Sequence, residues 1–123
     1  MSGNRVVPIV ITYRSGDQDM VSAYEYAERG QREKIEGWAE TFDFELTDPV
    51  FVDLPSKPPT DNTVRTILDA IARLNCEGIV AAGTESLRVS GLYDSLSDAV
   101  WKLGKRVWIA DLGSLPIEER ISA

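Results

Sequence analysis

Histidine is absent from this chain of 123 residues, and cysteine occurs once, at Cys76. Without histidine there is no Ser-His-Asp or Cys-His catalysis. With a single cysteine there is neither an internal disulfide nor a zinc-ligand set of the usual kind, so no metal or cofactor is expected. Cys76 reads as a buried structural thiol. Long hydrophobic runs are missing too: nothing approaches the roughly 20 residues that span a bilayer, and Met1-Ser2-Gly3-Asn4 lacks the regions of a signal peptide. The expectation is a cytoplasmic protein without a membrane. Positive charge is scarce, with 13 Lys and Arg against 20 Asp and Glu and a net charge of -7. Phosphate neutralisation by basic residues supplies most non-specific nucleic-acid affinity, so this balance argues against independent nucleic-acid binding while leaving room for a local basic patch.

What is present is an alternation of strand and helix signals. An apolar content of 43% over this length predicts one domain covering residues 1–123. Val6 to Tyr13 is a β-branched apolar run that predicts a buried strand, with Pro8 expected near its start or at an edge because proline cannot donate to a ladder. Asp17 to Phe42 is helical in pattern, with Ile35, Trp38, Ala39 and Phe42 on one face and Glu33, Glu36 and Glu40 on a solvated one; Gly30 is expected to break or weaken it upstream. Val50 to Asp53 predicts a second strand, and Pro55 to Pro59 an extended loop. A helix capped by Thr60, Asp61 or Asn62 carries Val64, Ile67, Leu68, Ile71 and Leu74 at steps of three and four. Gly78 to Ala82 is short and apolar enough for a central strand. Leu92, Leu96, Ala99, Val100 and Leu103 mark a third helix with Gly104 as its C-terminal cap, and Val107 to Ala110 a fourth strand. Asp111 to Ala123 reads as a short helix or a loose tail. Trp38, Trp101 and Trp108 read as core or interface packing, since none lies in a basic run. Together these segments predict a three-layer α/β sandwich around a mostly parallel sheet.

Ligands of such sheets meet the carboxyl ends of strands, which here would be served by the loops Arg14 to Asp19, Leu54 to Pro59 and Gly83 to Gly91. Arg14 and Ser15 set a hydroxyl nucleophile beside a fixed cation, although with Gly16 and Asp17 they also make an ordinary polar turn. Lys57 is either a site cation or a solvated loop charge. Thr84, Glu85 and Ser86 open the third loop, where free helix amides suit a phosphate, and the same hydroxyls suit helix capping.

The order of these segments resembles the catalytic domain of serine recombinases, the resolvase and invertase family. Tyr13-Arg14-Ser15 resembles its Tyr-x-Arg-x-Ser motif, and Gln31-Arg32-Glu33-Lys34-Ile35 its Gln-Arg-x-x-Ile segment. Val52-Asp53 and Lys57-Pro58 match its Val-Asp strand and Arg-Pro loop, and Glu85-Ser86-Leu87-Arg88-Val89-Ser90 its Asp-Arg-Leu-x-Arg-Ser loop. The resemblance implies a resolvase-like fold, with Ser15 attacking a DNA phosphodiester while Arg14, Lys57 and Arg88 stabilise the anionic transition state. The departures imply impaired chemistry. The first motif is one residue short, lysine replaces an arginine at Lys57 and loses the bidentate fork, Ser86 and Val89 stand where two arginines are expected, and Arg88 is one place out of register. The family's long dimerisation helix and DNA-binding domain have no counterpart here. Three readings follow: a degenerate recombinase-like binding or regulatory module, an active strand-transfer enzyme working with a partner subunit, and a nucleotide- or phosphate-binding α/β module. A homodimer through a helix face, or through Leu115, Ile117 and Ile121, is the expected partner arrangement.

Overall fold

A computed structural model describes residues 4–13, 18–54, 61–83 and 93–117. Strand β1 (Asn4–Tyr13) leads to helix α1 (Gln18–Phe42), then to β2 (Phe44–Leu46) and β3 (Val50–Leu54). Helix α2 (Asp61–Arg73), β4 (Gly78–Ala81), α3 (Tyr93–Lys102) and β5 (Arg106–Ile109) follow, and a 3-10 turn spans Ala110–Leu112. The four strands expected from the sequence are present, β1 beginning two residues earlier than expected and the other three within a residue at each end. Every described pairing between them is parallel.

Three local outcomes differ from the sequence reading, each for a physical reason. Gly30 does not interrupt α1, which runs unbroken through it; the roughly 1 kcal/mol that glycine costs a helix is smaller than what the packing of one face recovers. Phe44–Leu46 adds a fifth strand, too short to show a period of two. Pro8 lies neither at a strand start nor at an edge. It sits inside the central strand, opposite Val80 of β4. The backbone parity of β1 explains how: Arg5 O accepts from Glu77 N on the β4 side, whereas Val6 O accepts from Thr47 N on the other. Pro8 therefore faces the same way as Val6, into the gap between β2 and β3 where Thr47, Asp48 and Pro49 make no ladder. The missing donor coincides with a missing strand.

β2 and β3 thus act as one interrupted edge strand, pairing with the two halves of β1, and across the sheet the order is β2/β3, β1, β4, β5. Helix α1 covers one face through Ile35, Trp38 and Ala39, packed with Val6, Val10, Val80 and Trp108. Helices α2 and α3 cover the other through Ile67, Ile71, Leu96 and Val100, packed with Val7, Ile9, Ile11, Ile79 and Val107. This is the expected three-layer α/β arrangement. Cys76 belongs to the second core and is fully buried, and that burial pushes its thiol pKa up.

The helix ends are set by backbone chemistry. Gly104 stands just past α3 at φ 76, with Gly104 N–H donating to Trp101 O and Lys105 N–H to Val100 O. Asn75 does the same past α2 at φ 57, with bonds from Asn75 N to Ala72 O and from Cys76 N to Ile71 O. Both are Schellman endings, one using glycine and one asparagine, the two residues that tolerate the left-handed region best. Gly78 answers to a different constraint, since an added Cβ would run into the Arg106 backbone carbonyl of β5.

Candidate functional site at the carboxyl end of the sheet

The winding of the sheet reverses between β1 and β4. From β1 the chain crosses to the β2/β3 edge by way of α1 on one face. From β3 it crosses back over β1 to β4 by way of α2 on the other face, and α3 stays on that second face on the way to β5. Crossovers of one hand require this change of face. There the chain leaves the carboxyl ends of the two central strands for opposite faces of the sheet, and it is in a crevice at such a switch point that open α/β sheets bind ligands.

The two strands are also unequal in length. The β1–β4 ladder stops at Ile9 opposite Ala81, while β1 continues to Tyr13 with β3 alone as its partner. Parity directs the backbone of Ile11 toward the β4 side, where no strand remains among the described residues. The side chain of Gln31 fills that place. Its Oε1 accepts from Ile11 N at 2.9 Å, and its Nε2 donates to Ile11 O at 2.8 Å.

Two further residues of α1 reach the exit of β5. Lys34 Nζ lies 2.8 Å from Asp111 Oδ1, with both side chains half-exposed. Trp38 Nε1 donates to Gly113 O at 2.9 Å, and Trp108 Nε1 of β5 donates to the next carbonyl, Ser114 O, at 3.1 Å. Asp111 N–H donates to Ala82 O at 3.2 Å, which ties the turn to the exit of β4. Its carboxylate closes over Gly83, where an added Cβ would come within 2.9 Å of Oδ2. Gln31, Lys34 and Trp38, spaced along one side of α1, therefore latch the exits of β1 and β5. The result is a polar rim of one amide, one ammonium and one carboxylate beside the crevice. Among the described residues no group of three or more Cys, Asp and Glu is placed to hold a metal ion.

The residues singled out from the sequence, Arg14, Ser15, Lys57, Thr84, Glu85, Ser86 and Arg88, lie outside the described residues, as does Ile121. β1 ends at Tyr13 and β4 at Ala81, so in chain order Arg14 and Ser15 follow the first strand of the crevice and Thr84 to Arg88 the second. The sequence pattern marks Gln31 and Lys34 only as parts of a family-like segment, and Asp111 only as the residue after a strand. The available signal was the 31, 34, 38 spacing, which sets two polar residues in line with the buried Trp38.

A concavity of about 680 Å³ lies along the outer side of β5 between Trp101, Lys105, Arg106, Leu112, Leu115 and Ile117. It is away from the crevice, wide open, and formed where Ile117 N–H bonds to Val107 O. Topology and polar chemistry both favour the carboxyl end as the site. Among the described residues no helix is long and apolar enough to cross a membrane. Compared with protein-family models, curated proteins and solved structures, the chain has no match.

Proposed function

We propose that this chain is a non-cleaving binding or regulatory module that takes a phosphate-bearing ligand, a nucleotide or an inorganic phosphate, in the crevice between the carboxyl ends of β1 and β4. The observation that carries the reading is the reversal of winding between those two strands, beside which α1 presents Lys34 and Gln31. An exposed lysine is a suitable point charge for a phosphate, and its bond to Asp111 is weak enough at half-exposure to be exchanged for one. The resemblance to serine recombinase catalytic domains belongs to the same proposal. A chain descended from that family with its arginine set eroded would keep the crevice and lose the chemistry.

The test is a thermal-shift and calorimetric screen of nucleotides and inorganic pyrophosphate. A ligand present at about 100 times its dissociation constant should stabilise the native state by roughly 2.7 kcal/mol. Absence of any shift across the panel at millimolar ligand would overturn the reading. Strand cleavage is checked separately by incubating the protein with supercoiled plasmid and denaturing. A protein–DNA adduct lost in Ser15→Ala would replace the binding module by a strand-transfer enzyme.

A further inference from the structure

A strand that outruns its neighbour normally leaves backbone groups without partners. In β1 the exposed step is Ile11, which is itself buried, so its N–H and C=O have no easy recourse to water. One side chain answers both. An amide carries an acceptor and a donor on the same carbon, spaced like the C=O and N–H that a neighbouring strand offers, and Gln31 directs each at the matching group of Ile11. Among the residues of α1, glutamine suits this role and its neighbours in chemistry do not. Glutamate at neutral pH has two acceptors and no donor, lysine has donors only, and asparagine is a methylene shorter.

We propose that Gln31 is a positioning residue that stands in for the missing continuation of β4. It allows β4 to end early, so that a crevice opens beside β1, while keeping the exit of β1 as ordered as if the ladder went on. The consequence for ligand binding rests on the reading of that crevice as the site; the clamp itself does not. Residues delivered by the end of β1 inherit their placement from Ile11, and Gln31 acts on a ligand through them without needing to touch it.

The experiment measures amide exchange at Ile11 by NMR in the full chain, as protection factors normalised for pH, in the wild-type protein and in Gln31→Ala and Gln31→Glu. Gln31→Ala should exchange about tenfold faster at Ile11, the factor that one net hydrogen bond sustains, with the amides of Val7 and Ile79 unchanged. Gln31→Glu provides a readout that packing alone would not move. Its carboxylate keeps the acceptor but sets a second oxygen against Ile11 O, so protection at pH 8 should fall. That arrangement and partial burial raise the new carboxyl's pKa above the usual 4.3 or so, and once protonated it has one donor and one acceptor, as glutamine does. Lowering the pH toward 5 should therefore restore protection in Gln31→Glu, with wild type at each pH as the control for every other carboxylate.

Protection at Ile11 that is the same in all three proteins, or a Gln31→Glu deficit that does not change with pH, would overturn the proposal. Pyrophosphate titration of the same proteins separates it from the proposed function. If the wild type binds and Gln31→Ala binds several-fold more weakly with its exchange elsewhere unchanged, the positioning role extends to the ligand. Equal affinity would confine Gln31 to the strand and sink the ligand role. If the wild type binds no pyrophosphate while the pH-dependent rescue is seen, the clamp stands and the choice of ligand falls.

Discussion

The two faces of the sheet are held by different physics. On the side of α2 and α3 the buried core is aliphatic apart from Cys76: Val7, Ile9, Ile11, Ile67, Ile71, Ile79, Leu96, Val100 and Val107 belong to it. On the side of α1 two buried tryptophans, Trp38 and Trp108, join the aliphatic residues, with Phe44 packed against them. Trp38 stacks on Phe44 at 4.4 Å between centroids, and Phe44 meets Trp108 edge-on at 5.0 Å. That face also carries directional bonds from Gln31, Lys34, Trp38 and Trp108 to the exits of β1 and β5. Aliphatic burial is strong and indifferent to direction, so it stabilises the fold without aiming anything. Hydrogen bonds to single carbonyls contribute less energy but specify where a turn sits. The α2/α3 face is thus the source of stability and the α1 face the source of placement, and the candidate site lies at the end the α1 face controls.

Substitutions on the two faces should fail in different ways. The largest effect is expected for Ile79→Ala on the aliphatic face, where a fully buried side chain is truncated: about 2–5 kcal/mol of stability, lost globally. Urea denaturation followed by circular dichroism measures it, and a loss under 1 kcal/mol would erase the contrast between the faces. Trp38→Phe should be milder. It keeps a ring against Phe44 and removes the indole donor to Gly113, so about 1 kcal/mol is expected, with amide exchange accelerated at 111–114 before anywhere else. Uniform acceleration across the sheet would show that Trp38 contributes packing alone. The smallest effect is expected for Ser97→Ala in α3. Ser97 is 1% exposed and its hydroxyl has no hydrogen-bond partner among the described residues. Removing an unsatisfied buried hydroxyl, and replacing serine by a better helix former, should leave stability unchanged or raise it by up to about 1 kcal/mol. A clear loss in the same urea titration would mean that the hydroxyl is satisfied in solution, and that the aliphatic face also contains a directional bond.

The chain's own pattern was enough for the layers. β-branched runs at Val6 to Tyr13 and Gly78 to Ala82, and helical stripes such as Ile67, Leu68, Ile71 and Leu74, identify strands and helices because burying one face of each element is a local demand written at a local period. Gly104 as a cap and Glu33, Glu36 and Glu40 as a solvated side were legible for the same reason, and so was the burial of Cys76. The candidate site was legible only as an address, the carboxyl ends of strands.

What the sequence determined by itself is therefore the three helices, the four longer strands and the apolar stripes of the core, since those follow from periods of two and 3.6 residues within one segment, whereas Phe44–Leu46 is too short to carry one. Only the tertiary structure decided the rest. That Pro8 is harmless depends on a gap in a strand some forty residues away, and that Gly30 is tolerated depends on the sheet α1 lies against. Gln31 becomes a substitute strand only because β4 stops opposite Ile9, and Lys34 meets Asp111 only because β5 ends beside α1. Each of these is a pairing of backbone or charge between segments distant in the chain, and a hydrogen bond records its partner in space, where no local period can show it.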